Sequence, residues 1–263
     1  MAERIETPSK AQLKRWEKLT LEKYRRQEGL FLAEGVKVVG ELLRSGRPLE
    51  ALLVCEEGSA QREALPDGLP RKIRVYRFSI REWKALSQDA APEGVMAVAR
   101  MTEPPDPALL SEAQGPLLFL YRVNNPNNLG ALLRTADWFG FRTVLLSAGS
   151  VEATHPKAVR TSMGSLFHLD VIEAGDFEPL LSRLRGRFRV VGSEVRDGIS
   201  PHPCAAGTVL LMGSESHGLP TELLALADER WRIPGKGNAD SLSLPQAAAV
   251  MMYECTREMD RGM

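Results

Sequence analysis

"NNPNNLGALLRTADWFGF", residues 124–141, joins a polar loop to an amphipathic helix. The loop holds four asparagines, a proline and a glycine before the helical run, where an ordinary helix start needs one capping side chain. The apolar run "PLLFLYRV" precedes it, so the loop leaves the carboxyl end of an expected strand. Free backbone amides at a helix N-terminus face anions. Asn128 offers both a donor and an acceptor, as a ribose hydroxyl requires, and Gly130 allows close approach of a ligand or backbone. Arg134 presents a planar fork of donors suited to phosphate. A helix cap with a surface arginine would use the same residues, so this stretch alone leaves both readings open.

Outward from this stretch the chain alternates strands and helices. Downstream follow "RTVLLS" (strand), "HPKAVRTSMG" and "FEPLLSRLRG" (helices), and "RFRVVGSE" and "GTVLLMGSE" (strands). "PTELLALA" (helix), "RWRIPG" (short strand) and "LPQAAAVMMYECTREM" (long final helix) complete the run. Several strands are solid apolar runs, which predicts an α/β fold whose parallel sheet is covered on both faces. Upstream, "KAQLKRWEKLTLEKYRRQ" reads as one helix with an apolar stripe, and "LFLAEG", "ALLVC", "KIRVYRF" and "GVMAVAR" read as strands. "VKVVGELLRSG" and "SIREWKALS" are helices, the latter opened by a Ser79/Glu82 capping box. Pro104, Pro105 and Pro107 mark 101–116 as a stiff linker. The expected domains are therefore 1–100 and 117–263.

The 263 residues are 43% hydrophobic and 26% charged, the balance of a globular protein. No apolar run reaches the roughly 20 residues of a membrane span. "MAERIETPSK" lacks the apolar core of a secretory signal. Cys55, Cys204 and Cys255 are far apart and odd in number, which predicts no disulfide framework and a cytoplasmic home. The four histidines show no ligand spacing, so no metal is expected. Net charge is zero overall, but residues 1–100 carry 19 Lys and Arg against 15 Asp and Glu, a net of +4. That excess suits a nucleic-acid surface, and equally a solvated charged face.

Two further loops carry chemistry. In "LLMGSESHGLP", residues 210–220, an apolar strand ends at Gly213 and is followed by Ser214, Glu215, Ser216 and His217. The G-x-S-x-G spacing of a serine nucleophile is absent. In "RIPGKGNADSLSLPQAAAV", residues 232–250, Ile233–Pro234 lead through a glycine-containing loop to Ser241, Leu242 and the alanines of the last helix. The phosphate-loop spacing G-x-x-x-x-G-K-[ST] is missing, which argues against ATP binding.

In this order the three loops resemble the motifs of the SpoU (TrmH-like) RNA ribose 2′-O-methyltransferases of the SPOUT class. Pro126, Asn128, Gly130 and Arg134 match the first motif; Gly213, Glu215 and Gly218 the second; Ile233, Pro234, Ser241, Leu242 and Ala247 to Ala249 the third. "VRTSMGSLF" (159–167) resembles the segment between the first two. The likeness spans about 117–260. "LFLAEGVKVVGELLRSG" and "PEGVMAVAR" are similar to the ends of the small L30e-like substrate-binding domain that precedes many such catalytic domains. Asn125 stands where the family often has Asp, Ser214 and Ser243 where Asn is usual, and Pro245 is unusual.

The resemblance implies a deep trefoil knot, S-adenosylmethionine held largely by main-chain groups, and a homodimer formed through the knot and last helix. By position the cofactor residues are Met212, Gly213, Ile233, Leu242 and Ser243. The implied catalytic set is Arg134, Asn128, Glu215 and Ser241. A guanidinium normally stays protonated, so Arg134 is expected to grip phosphate and stabilise developing alkoxide charge. Asn128 would position ribose or phosphate, and Glu215 would orient the loop or substrate. The implied substrate is RNA, ribosomal RNA ahead of transfer RNA. Arg71, Lys72, Arg74 and Arg77, with Tyr76 and Phe78 among them, have the mix of charge and stacking that RNA binding uses. The alternative is a catalytically weak RNA-binding or ribosome-assembly factor that keeps the fold.

Overall fold

The computed structural model describes residues 5–56, 73–103, 110, 113, 115–175, 177–204 and 207–258. The chain forms two compact units, one of residues 1–103 with 152–167, the other of 104–151 with 168–263.

The first unit is built on a five-stranded mixed sheet. Its strands are β1 (Ile5–Glu6), β2 (Leu30–Glu34), β3 (Leu49–Cys55), β4 (Arg74–Phe78) and β5 (Val95–Arg100), in the order β1-β4-β3-β5-β2. β4 runs parallel to β1 and β3, whereas β5 is antiparallel to β3 and β2. Helices α1 (Lys10–Glu17), α2 (Glu22–Glu28), α3 (Val36–Arg44) and α4 (Ile80–Leu86) accompany it. Trp16, Leu30, Leu32, Leu53, Tyr76, Phe78, Trp83 and Met96 pack into one core cluster. The predicted capping box forms, with Ser79 and Glu82 exchanging side-chain and backbone bonds at the start of α4.

The single helix expected over residues 10–27 is broken. A 3-10 turn at Lys18–Thr20 follows α1, and Leu21 is extended before α2 begins. The Thr20 hydroxyl donates to the Glu17 carbonyl at 2.8 Å, offering the backbone a local alternative to the helical ladder. The break lets Leu19, fully buried, and Trp16 both enter the core.

Residues 152–167, which include the 159–167 stretch likened above to the segment between motifs, pack in this first unit. Their helix α6 (Pro156–Thr161) lies against β2. The Arg25 guanidinium, 1% exposed, is ion-paired with buried Glu152 and donates to the Leu19 carbonyl at 2.7 Å. Such a buried charge is tolerable only when paired and hydrogen-bonded. At Gly164, φ +97°, a Cβ would lie 2.4 Å from the Cβ and Cγ of Glu41, so only glycine fits there.

The second unit holds six strands, β6 (Leu117–Leu120), β7 (Thr143–Ser147), β8 (Asp170–Ala174), β9 (Arg189–Ser193), β10 (Thr208–Met212) and β11 (Glu229–Trp231). Every pairing is parallel, in the order β11-β9-β10-β6-β7-β8. Its helices are α5 (Pro126–Trp138), α7 (Phe177–Leu184), α8 (Thr221–Ala225) and α9 (Leu244–Thr256). Phe119, Leu145, Ile172, Val190, Val209 and Leu211 share a core with Leu181 and Leu184 of α7 and Leu223 and Leu224 of α8. The opposite side of β10 meets α9, which packs on α5. Burial on both faces explains the solid apolar strands.

Three sequence expectations change here. β8 goes unanticipated because "DVIEA" is short and carries two carboxylates; it is one of the sheet's two edge strands. β11 ends at Trp231, two residues before the expected Ile233–Pro234. Cys204 and Cys255 form a disulfide, with Cα atoms 4.7 Å apart, where none was expected. The reason is tertiary: the segment before β10 runs beside the last turn of α9, and the Cys204 N–H donates to the Cys255 carbonyl at 2.9 Å.

Candidate active site

From β6 the chain steps outward through β7 to β8, then crosses to β9 and β10 on the other side. The strand order therefore reverses between neighbouring β6 and β10, the place where open parallel sheets take ligands beyond their carboxyl ends. The asparagine-rich loop leaves β6 and the Gly213 loop leaves β10. A cavity of about 440 Å³ opens between them, lined by Arg122, Asn124, Asn125, Asn128 and residues 214–217.

The first loop is shaped by its own side chains. The Asn125 carboxamide oxygen caps α5 by accepting the Asn127 N–H at 2.9 Å, and Pro126 sits in the first turn, where its missing N–H costs nothing. That leaves Asn128 free to act outside the helix. Its amide donates to Glu215 Oε1 at 2.6 Å, across 87 residues of sequence.

The second loop is a tight reversal. Ser214 N–H donates to the Gly218 carbonyl at 3.2 Å, and Gly218 N–H returns to the Ser214 carbonyl at 2.9 Å. The His217 N–H donates to the Ser214 hydroxyl at 3.3 Å. Gly213 is obligatory beneath it, because a Cβ there would lie 2.1 Å from the Gly218 carbonyl carbon. Gly218 takes φ +66°, a left-handed conformation that favours glycine. The reversal presents Glu215, Ser216 and His217 at its exposed tip.

Sequence reasoning passed over Arg122. It is one of two described non-glycine residues with positive φ, at +49°, a conformation costing an L-residue about 1–2 kcal/mol. Its N–H donates to the Ser147 hydroxyl at 2.8 Å, and the next N–H, of Val123, to the Ser150 hydroxyl at 3.2 Å. The signal available in sequence was only its place, two residues past an apolar run.

Of the other expected site residues, Met212 is buried at the end of β10, its carbonyl accepting the Tyr121 N–H at 2.9 Å. Arg134 is exposed on α5 and contributes nothing to the cavity lining. Six residues beyond Asn128, it stands about 9 Å further along the helix and roughly 120° around it. Ile233 is half-buried, whereas Ser241, Leu242 and Ser243 are exposed. Ser243 is the residue before α9, yet its hydroxyl makes no capping bond. The third loop supplies no residue to the cavity. Among the described residues no group of three or more His, Cys, Asp or Glu is placed to hold a metal ion.

In the first unit Arg74 and Arg77 are exposed on β4, while Arg71 and Lys72 lie outside the described residues. The expected stacking role of Tyr76 and Phe78 is overturned. They are 3% and 0% exposed, and Tyr76 packs edge-on to Trp16 and accepts from the Gln12 amide at 2.9 Å. Their parity on β4 turns both rings into the core.

A parallel sheet with a polar cavity at its switch point, bridged by an amide–carboxylate pair, has the layout of a ligand-binding α/β protein. The chain belongs to the SpoU rRNA methylase family, whose model matches residues 116–253; the MRM3-like substrate binding domain matches residues 10–97. It is 30% identical over 253 residues to the 23S rRNA (guanosine(2553)-2′-O)-methyltransferase RlmP of Bacillus subtilis, covering 95% of this chain and 97% of that protein. The SpoU methyltransferase AviRb from Streptomyces viridochromogenes, solved in complex with AdoMet, superposes with a TM-score of 0.82 at 25% identity, over 97% and 100% of the two chains. An AdoMet-bound rRNA methyltransferase from Sinorhizobium meliloti gives 0.83 at 26%, over 97% and 98%.

Proposed function

We propose that this protein is an RNA ribose 2′-O-methyltransferase that uses S-adenosylmethionine, with ribosomal RNA as its substrate. The observation that carries the reading is the Asn128–Glu215 pair. It joins the first two family motifs inside one cavity at the sheet's switch point. Residues 1–100 serve as the RNA substrate-binding domain and 117–263 as the methyltransferase domain.

The residues present fit the cofactor. Leu242 is an apolar side chain left 48% exposed beside a loop where Gly235 and Gly237 face open space. Together with Ile233 they suit a purine walled by apolar side chains and read by main-chain groups. Met212, Gly213 and Ser243 complete the expected holding set. When bound, S-adenosylmethionine supplies an electrophilic methyl on a sulfonium.

The chain's own work is to place the ribose, whose 2′-hydroxyl releases its proton to solvent as its oxygen takes the methyl. The Asn128 amide is directed by Glu215 and positions the 2′-hydroxyl or its neighbouring phosphate. Arg134 stays protonated and stabilises negative charge on the oxygen as it forms. Ser241 adds a hydroxyl from the third loop. A homodimer through the final helix agrees with the apolar surface that Trp138 (83% exposed), Val250 and Tyr253 present, the Tyr253 ring 6.2 Å from Phe139. The trefoil knot belongs to the same proposal, as does a cytoplasmic location, which the Cys204–Cys255 disulfide counts against because such bonds are rare in that compartment.

Transfer of labelled methyl to a 23S ribosomal RNA transcript, with transfer RNA as comparison, tests the reading. Label at a ribose 2′-oxygen of 23S RNA is expected. A second reading, an RNA-binding assembly factor with weak catalysis, is favoured by Arg134 standing outside the cavity. RNA binding and cofactor binding without transfer would select it.

A further inference from the structure

Arg122 combines a strained backbone with a place in the cavity lining. Its left-handed φ of 49° is one that glycine would adopt freely, and the Ser147 and Ser150 hydroxyls hold the turn. The side-chain stem crosses Gly149, its Cγ and Nε 3.7 Å from where a Cβ would stand. The guanidinium lies 5.6 Å from the Tyr121 ring centroid. Among the described residues it forms no ion pair. Strain of this kind persists where the surroundings enforce it, and it gathers at functional sites.

The cavity's chemistry says what such a cation is for. Its lining consists of three asparagines, two serines, Glu215, His217 and Arg122. The Glu215 carboxylate already accepts from Asn128, and Arg122 is the one guanidinium in the lining. A planar fork of donors beside amides and hydroxyls matches a phosphodiester flanked by ribose. The third loop, expected to hold the cofactor, supplies no lining residue, which turns this cavity toward the RNA.

We propose that Arg122 binds the backbone phosphate next to the target ribose and so sets the register of the RNA in the site. This rests on the RNA methyltransferase reading and adds a substrate-binding residue outside the three family motifs.

The test uses the full-length chain with Arg122→Gly and Arg122→Lys. Glycine relaxes the turn, so Arg122→Gly should melt at or above the wild-type temperature and bind S-adenosylmethionine within about twofold of wild type. Its affinity for a 23S RNA transcript should fall roughly tenfold, and the slope of log K against log salt should shrink by about one phosphate contact. Arg122→Lys should keep the slope but lose several-fold in affinity, because it keeps the charge and loses the fork. RNA binding by Arg122→Gly with wild-type affinity and slope overturns the proposal. So does a loss confined to S-adenosylmethionine binding, which would assign the cation to the cofactor. Absence of methyl transfer by the wild-type chain would sink the proposed function instead, and the salt slope would still decide on Arg122.

Discussion

Replacing Gly213 by alanine tests the second loop most directly. The added Cβ would stand 2.1 Å from the Gly218 carbonyl carbon and 2.3 Å from the Leu219 nitrogen. Both are backbone atoms, so no side chain can swing away. Reaching an ordinary contact of 3.4 Å needs a shift of about 1.3 Å (3.4 − 2.1). The same shift would stretch the Asn128–Glu215 bond from 2.6 Å to about 3.9 Å, beyond hydrogen-bonding range. Two hairpin bonds between Ser214 and Gly218 would also be lost. At about 1 kcal/mol for each of three bonds, the cost is about 3 kcal/mol. For a chain of this size that lowers Tm by roughly 6–12 °C. Scanning calorimetry measures the shift, and methyl transfer to 23S RNA should fall at least a hundredfold. Gly186→Ala is the control, since its Cβ would meet nothing within 4 Å and it lies outside the three loops. A Gly213→Ala protein with wild-type Tm and turnover would refute the view that this close approach holds the site together.

Arg134→Ala should abolish methyl transfer while leaving S-adenosylmethionine affinity, measured by titration calorimetry, within about twofold; retained turnover would remove Arg134 from the chemistry. The Cys204–Cys255 disulfide encloses both the second and third loops across a separation of 51 residues. Its reduction, or Cys255→Ser, should lower stability by about 4 kcal/mol on loop-closure grounds, read as a Tm difference with and without reductant. Equal melting would count against that value. Burial holds the Glu34 carboxyl above its usual range, although the Ser87 hydroxyl donating at 2.6 Å opposes the shift. A raised carboxyl contributes stability that is full below its unfolded value and is lost as pH rises through the folded one. Glu34→Gln, which keeps an acceptor for Ser87, should therefore gain Tm relative to wild type as pH rises from 4 to 8. Urea titrations across that range check the sign, and a difference that shrinks with rising pH would contradict it.

What the sequence determined by itself is what depends on near neighbours. Solid apolar runs such as "LLFL" and "TVLLM" announce strands buried on both faces, and Ser79 with Glu82, or Asn125 with Pro126, mark where helices begin. The motif order also carried the family. Tertiary structure decided whatever required distant segments to meet. Only the neighbouring of β6 and β10 brings Glu215 to Asn128, and only the path before β10 sets Cys204 beside Cys255. "RVYRF" was read as a basic strip with stacking rings, yet the sheet and Trp16 claim Tyr76 and Phe78 for the core. Arg122 showed nothing in composition or period, because its interest lies in a backbone angle imposed by two serines more than twenty residues away. Propensity and periodicity act over one or two turns of chain. Partner choice between strands is settled by the packing of the whole sheet, and the cavity exists only once that packing is complete.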